Sequence, residues 1–278
     1  MKSALFSFAA IVTFVAAPAF AADMAVKAPP VPVPAYSWTG WYAGGNAGGG
    51  WTRGKATYSP NDPASVLFFG SGNDVLGDTL KSSSAVGGLQ LGYNYQLNRS
   101  WLIGFETDFD WTGMKVSSVT QYFGGLEFSS AQQRIDSFGT VRGRLGYLPT
   151  DNLLAYVTGG FAYGRVERTA SYAAANGGNI SVISGGFSLN CASPPTTACF
   201  AGSSNNTAIG WTLGGGLEYA LGQTWTVKAE YLHVSLDSRS LTEVAPAPNP
   251  GSTPSSLNAN YGQTNIDTVR VGLNYHFH

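Results

Sequence analysis

Eight segments of the chain alternate apolar and polar side chains with a period of two, as strands do when their two faces meet different surroundings. The clearest covers residues 101–111. Its odd positions are Trp101, Ile103, Phe105, Thr107, Phe109 and Trp111, and its even positions include Glu106, Asp108 and Asp110. One face is apolar with tryptophan at both ends, and the other carries carboxylates. At ~3.3 Å per residue the two tryptophans stand ~33 Å apart along the strand, or ~25 Å apart along a membrane normal for a tilt of ~40°. That is the height of the apolar band of a transmembrane β-barrel, and a soluble sheet has no reason for the spacing.

The same alternation predicts strands at 39–51, 84–97, 134–147, 153–164, 208–221, 225–236 and 266–277. The connections alternate in length. Residues 98–100, 148–152 and 222–224 are short turns, whereas 52–83, 112–133, 165–207 and 237–265 are long. Long structureless loops count against a compact soluble domain. Short periplasmic turns and long extracellular loops are the normal asymmetry of an outer-membrane barrel. The fold class expected is therefore all-β, an eight-stranded antiparallel up-and-down transmembrane β-barrel over 39–278 with four long extracellular loops.

Charge placement fits this reading. Within the segments Glu106, Asp108, Asp110, Arg134, Asp136, Arg142, Arg144, Glu218, Lys228, Glu230 and Arg270 all fall on the polar face. Arg165, Asp237 and Asp267 fall in the apolar phase, at the loop ends of their strands, where facing outward costs little. Trp41, Trp51, Trp101, Trp111, Trp211 and Trp225 cap the apolar stripes and are expected to form two aromatic girdles.

Composition narrows the class further. Hydrophobic residues make up 44% of the chain and charged residues only 11%, with 36 glycines, which suits a barrel better than a soluble domain. The net charge of −1 leaves no basic excess for nucleic acid or for attracting anionic lipid. Lys2, the apolar run 5–17 and the sequence Ala19, Phe20, Ala21 read as a secretory signal peptide over 1–21. Residues 22–38 form a Pro-rich periplasmic lead. In an exported chain, Cys191 and Cys199 read as one disulfide closing a small loop.

The stretch Tyr36, Ser37, Trp38, Thr39, Gly40, Trp41, Tyr42, Ala43, Gly44 resembles the first strand of a known family. With the Pro-rich lead before it and the final strand 267–277, it is similar to the small OmpA-like outer-membrane β-barrels of alphaproteobacteria, the RopB-type "porin family" proteins. The resemblance covers about 36–278. It implies a Gram-negative cell-surface protein of the outer membrane, surrounded by lipid and lipopolysaccharide and inserted by the barrel-assembly machinery. Proteins of that family end in an aromatic residue, whereas here Phe277 is followed by His278.

An eight-stranded barrel is just wide enough for side chains to fill. Six acids and five bases on one face therefore read as an interior ion network. Levelling Trp101 with Tyr147 across a hairpin puts Glu106 opposite Arg142, so Glu106 is expected to pair with Arg142, Arg144 or both. It puts Asp110 just below Arg134 and Asp136. Turn arithmetic likewise brings Glu218 near Lys228. His233, Ser235 and Asp237 share one strand side, which is not a triad geometry. No metal spacing, phosphate loop or cofactor fingerprint is present in the sequence. The expected function is a non-enzymatic, structural surface protein without cofactor. The alternatives are a narrow porin for ions or small solutes and, third, a soluble lipocalin-type binder, which needs the opposite polarity of faces.

Overall fold

The computed structural model describes residues 36–63, 65–66, 76–122, 127–174, 182–184, 187–189, 198–244 and 255–277. The segments expected to be signal peptide and most of the lead lie outside the described residues, as do Cys191 and His278. Among the described residues twelve strands follow in order: β1 Gly40–Pro60, β2 Leu76–Gln96, β3 Trp101–Tyr122, β4 Glu127–Thr150, β5 Leu153–Ala174, β6 Val182–Ser184, β7 Phe187–Leu189, β8 Phe200–Ala220, β9 Trp225–Leu236, β10 Arg239–Val244, β11 Ser256–Tyr261 and β12 Thr264–Phe277.

All neighbours pair antiparallel, and β1 pairs with both β2 and β12, so the sheet closes on itself through β3, β4, β5, β8 and β9. Above β9 and β12, β10 and β11 carry the wall upward, β10 pairing with β8 and β11 with β1. Counting β9 with β10 and β11 with β12 as interrupted strands, the barrel has eight. The short turns lie at one end, called the lower end here. The hairpin of β6 and β7 forms a separate two-stranded sheet.

The alternation sets the two faces as expected. The six girdle tryptophans Trp41, Trp51, Trp101, Trp111, Trp211 and Trp225 all face outward, between 36% and 55% exposed. Between the rings stand exposed Leu89, Ile103, Phe105, Val141, Leu145, Val157, Leu213 and Val271. Trp101 pairs with Tyr147 in register, and their rings lie 5.3 Å apart, edge to face.

The strands, however, are far longer than the pattern predicts. Six of them, β1 to β5 and β8, run 21–24 residues, taking in large parts of the segments expected to be loops. The reason is a change of solvent. Above the upper tryptophans the wall faces water, so its pattern inverts to apolar inside and polar outside. Tyr58, Leu80, Val116, Ala131, Ala170, Tyr172, Phe200, Leu257 and Tyr261 fill the upper bore, while Ser117, Gln132, Thr169, Ser203 and Asn205 are exposed. A template built for the membrane reads such residues as loop.

The interior is therefore layered. At the lower mouth Tyr36 and Trp38 pack on Leu102, Leu148, Leu154, Tyr156 and Ala220, and the Trp38 indole N–H donates to the Asp151 carbonyl at 2.9 Å. Above lies a charged layer. Above that, Met114, Ile135, Phe138, Val166, Leu232, Val234 and Ile266 form an apolar layer that leads to the aromatic one. Glycines let the strands crowd the charged layer. A Cβ on Gly88 would collide with the Asp110 carboxylate and the Phe109 carbonyl, and one on Gly160 with the Val141 carbonyl and the Arg142 backbone.

Candidate functional site

The most concentrated chemistry in the molecule is the charged layer. Period-two alternation on five strands sends Glu106, Asp108 and Asp110 (β3), Arg142 and Arg144 (β4), Glu218 (β8), Lys228 and Glu230 (β9) and Arg270 (β12) into the bore, each with no side-chain exposure. Glu106 is in register with Arg142, and Glu218 with Lys228.

Arg142 is the hub. Its Nη2 donates to Glu106 at 2.5 Å and to Asp108 at 2.6 Å, and its Nη1 to Glu230 at 2.7 Å and to the Thr158 hydroxyl at 3.0 Å. Arg270 reaches Asp110 at 2.5 Å, Asp108 at 2.7 Å and Glu230 at 2.7 Å. Lys228 donates to both Glu106 oxygens, at 2.8 and 2.9 Å. Arg144 does not take Glu106. It pairs with Glu218 and lies 3.8 Å over the Tyr156 ring, while Glu218 also accepts from Thr226 at 2.5 Å and Asn274 at 2.9 Å. Lys228 likewise passes over its register partner Glu218 for Glu106. Charges removed from water are tolerable when paired, and every charge in this layer has an ion-pair partner, while Asp110 Oδ1 and the Nε atoms of Arg142 and Arg144 have no hydrogen-bond partner among the described residues.

Two residues expected in the network are elsewhere. Arg134 and Asp136 pair with each other at 2.6 Å on the outer surface, with side chains 54% and 38% exposed. The pairing of β4 with β5 shifts between Ile135 and Ser137, so Asp136 is an extra residue there. A bulge of this kind flips the inward phase of everything beyond it. Below it β4 points even residues inward, and above it odd ones. Asp110 consequently meets Arg270 and not Arg134 or Asp136.

Other partners were missed. Tyr42 donates to Glu106 at 2.7 Å, Thr140 to Asp108 at 2.8 Å, and Gln90 to Asn274 at 2.5 Å. Tyr42, Gln90 and Asn274 all sit in the inward phase of their strands, which was the available signal. Asp78, Arg168 and Glu243 lie buried in the upper bore, on parts of strands that the pattern assigned to loops. Asp78 accepts from Tyr58 at 3.0 Å, Ser129 at 3.0 Å and Ser118 at 3.2 Å, and also from Thr120. The two Glu243 oxygens have no hydrogen-bond partner among the described residues. Burial, assisted by the nearby Asp78 charge, pushes the Glu243 carboxyl up to about 8. Burial lowers the Arg168 guanidinium, with Arg239 acting in the same direction. Cys199 is disulfide-bonded.

Among the described residues this layer contains no open cleft in which a carboxylate could meet both water and a substrate. What it can do chemically is cross-link the wall and fill the bore.

Comparison with known proteins places this architecture. Residues 7–277 match the family described as outer membrane protein beta-barrel domain. The chain is 36% identical over 281 residues to the 31 kDa outer-membrane immunogenic protein of Brucella melitensis, covering 100% of both chains. It is 25% identical over 284 residues to the 25 kDa outer-membrane immunogenic protein of Brucella canis, covering 100% of this chain and 99% of that one. Among solved structures, the outer membrane protein OprG from Pseudomonas aeruginosa aligns over 87% of this chain and 99% of its own, at 10% identity and a TM-score of 0.46. With its closed eight-stranded ring, its two outward aromatic girdles and this full-length family match, the chain belongs to the outer-membrane-protein β-barrel family and is a surface protein of the outer membrane.

Proposed function

We propose that this barrel is a closed structural element of the outer membrane that holds its surface loops in place, and neither a conduit nor an enzyme. The observation that supports this is the ion-paired charged layer, in which nine side chains without solvent exposure spend their charges on one another. Apolar layers seal it from above and below. A solute moving along the axis would have to break pairs whose separation costs about 3–5 kcal/mol each. Every carboxylate in the layer is held by at least one arginine or lysine. The partners in this reading are outer-membrane lipid and lipopolysaccharide around the girdles, and the barrel-assembly machinery during insertion.

Single-channel recording of the refolded barrel in planar bilayers tests this. The expected trace is flat at physiological salt. Sustained openings on the order of a nanosiemens would overturn the closed reading in favour of a pore, because only an open, water-filled lumen carries such a current.

A further inference from the structure

Above the membrane the wall has a seam where the backbone ladder lapses. The strand order there is β5, β8, β10, β11. On its β5 side, β8 keeps its ladder up to Phe200. On its other side the ladder with β9 ends at Gly210, and β10 meets β8 only where Val244 stands opposite Ala201. A bond from the Asp237 N–H to the Ile209 carbonyl, at 2.9 Å, marks the foot of the gap. Solvent reaches the inner face through it. Ser204 and Asn206 lie in the inward phase of β8 and are half-buried, whereas their β5 partners Arg168 and Val166 are buried. Arg239 shares a face with its register partner Tyr261, which is buried, yet Arg239 itself is exposed. A closed ladder would bury all three.

Behind the seam stands Arg168. It is 1% exposed, and its Nε and Nη2 have no hydrogen-bond partner among the described residues. Its guanidinium lies 5.6 Å from the centroid of the Tyr261 ring. Because β8 and β10 separate β5 from β11, that reach carries the guanidinium across the inner side of the gap. Tyr261 is tied to the same place, its hydroxyl donating to the Thr169 carbonyl at 2.9 Å. Arg239 stands near enough for its charge to act on Arg168. Neither arginine has a salt-bridge partner among the described residues. A buried charge without a counter-charge is costly, and a like charge beside it adds to the cost.

The acids of the chain do not fill the gap. Glu167 and Asp237 lie in the outward phase. Asp78 is occupied by the hydroxyls of Tyr58, Ser118, Thr120 and Ser129. Glu243 lies higher on β10, where a Cβ on Gly202 would stand 3.3 Å from its Cα. Burial pushes its carboxyl up to about 8, so at neutral pH it is mostly uncharged.

We propose that the β8–β10 seam is a binding site for a soluble tetrahedral oxyanion, sulfate or phosphate, clamped between Arg168 and Arg239 with the Ser204 hydroxyl as a further donor. Guanidinium forks match such oxygens in pairs, and the Tyr261 ring holds one fork in place. The oxyanion supplies the counter-charge that both arginines lack. The site lies inside the wall, is entered from its side, and requires neither a conducting bore nor the lipid around the girdles.

The test is calorimetric titration of the full-length barrel, refolded in zwitterionic detergent, with sodium sulfate in a fixed background of sodium chloride. Saturable binding of one sulfate per barrel is expected. Arg168→Met and Arg239→Gln should each weaken it roughly 10- to 150-fold, the range of one charge-assisted hydrogen bond. Arg53→Gln, on the outer wall, should leave it unchanged. Without sulfate, Arg168→Met should unfold at no lower urea concentration than the native barrel, since it removes an unpaired buried charge; with sulfate the native barrel should be the more stable. Glycerol phosphate that displaces sulfate would assign the site to a terminal group of a larger solute, and failure to displace it would assign the site to the free ion. A titration that does not saturate, or equal weakening by Arg53→Gln, would overturn the proposal. So would an Arg168→Met loss of stability that is the same with and without sulfate, because the guanidinium would then serve only to pack on Tyr261. Gel mobility before and after heating checks that each variant is folded, and the exposed Arg239→Gln decides the matter if Arg168→Met does not fold.

Discussion

Removing the Arg142 guanidinium is the sharpest perturbation of the barrel interior. Arg142→Met keeps a long side chain and deletes the charge that touches Glu106, Asp108 and Glu230. The membrane-level layer then holds five carboxylates against three cations, where five faced four. Every carboxylate keeps one cation, Glu106 through Lys228 and both Asp108 and Glu230 through Arg270. The loss should therefore lie in the range for breaking one buried pair, about 3–5 kcal/mol. Glu106→Gln deletes a charged acceptor but leaves Arg142 two others, and should cost about 1.5–3 kcal/mol. Because the two side chains share a 2.5 Å contact, the double variant should be more stable than the summed losses imply by about 1–3 kcal/mol. Urea titration in phospholipid vesicles, followed by tryptophan fluorescence, measures all four corners of the cycle. Arg134→Met is the internal control: its guanidinium is half exposed, so it should move stability by less than about 0.5 kcal/mol. Additivity of Arg142→Met and Glu106→Gln within about 0.5 kcal/mol would refute the network.

Three further outcomes follow from the layered bore and the outer apolar band. Glu243 is protonated more readily in the folded barrel, near pH 8, than its ordinary value of 4.5, so the folded state binds the extra proton between those two values. Stability should then fall as pH rises from about 4.5 to about 8 and level off above, by a few kcal/mol in order of magnitude, and Glu243→Gln should flatten that slope in urea titrations from pH 4 to 9. Gly88→Val drives a side chain into Asp110 and should cost about 1–3 kcal/mol, whereas Gly49→Ala, whose Cβ meets nothing within 4 Å, should be close to neutral in the same assay. Val141→Arg, in the middle of the apolar band, should cost about 2–4 kcal/mol, and Ser117→Arg, above the girdle, less than about 1 kcal/mol, as read by folding yield and unfolding midpoint in vesicles.

Where lipid is the outer solvent, the fold was legible residue by residue. The alternation in 101–111 placed Trp101 opposite Tyr147 and Glu106 opposite Arg142, as the register has them. The alternation weakens where water replaces lipid. Ser117, Ser118, Val119 and Thr120 continue β3 without the greasy outer stripe that marks a membrane strand. The β4 bulge leaves almost no trace in composition, since Asp136 looks like any other inward acid, yet it reverses the face of Arg134. Which base meets which acid was legible only between adjacent strands. The contacts of Arg142 with Glu230 and of Lys228 with Glu106 cross the bore, where register on neighbouring strands gives no guidance.

The height of the wall above the membrane changes what a molecule approaching the cell surface meets. Here residues 115–121 are strand, and Lys115, Ser117, Val119 and Gln121 are exposed while Val116 is buried. A free peptide of that sequence would display both sets of side chains at once. The folded surface instead juxtaposes Lys115 with Arg134 and Ser117 with Gln132, residues far apart in the sequence. An antibody raised on the intact barrel would read across the strands, and its epitope would vanish on boiling.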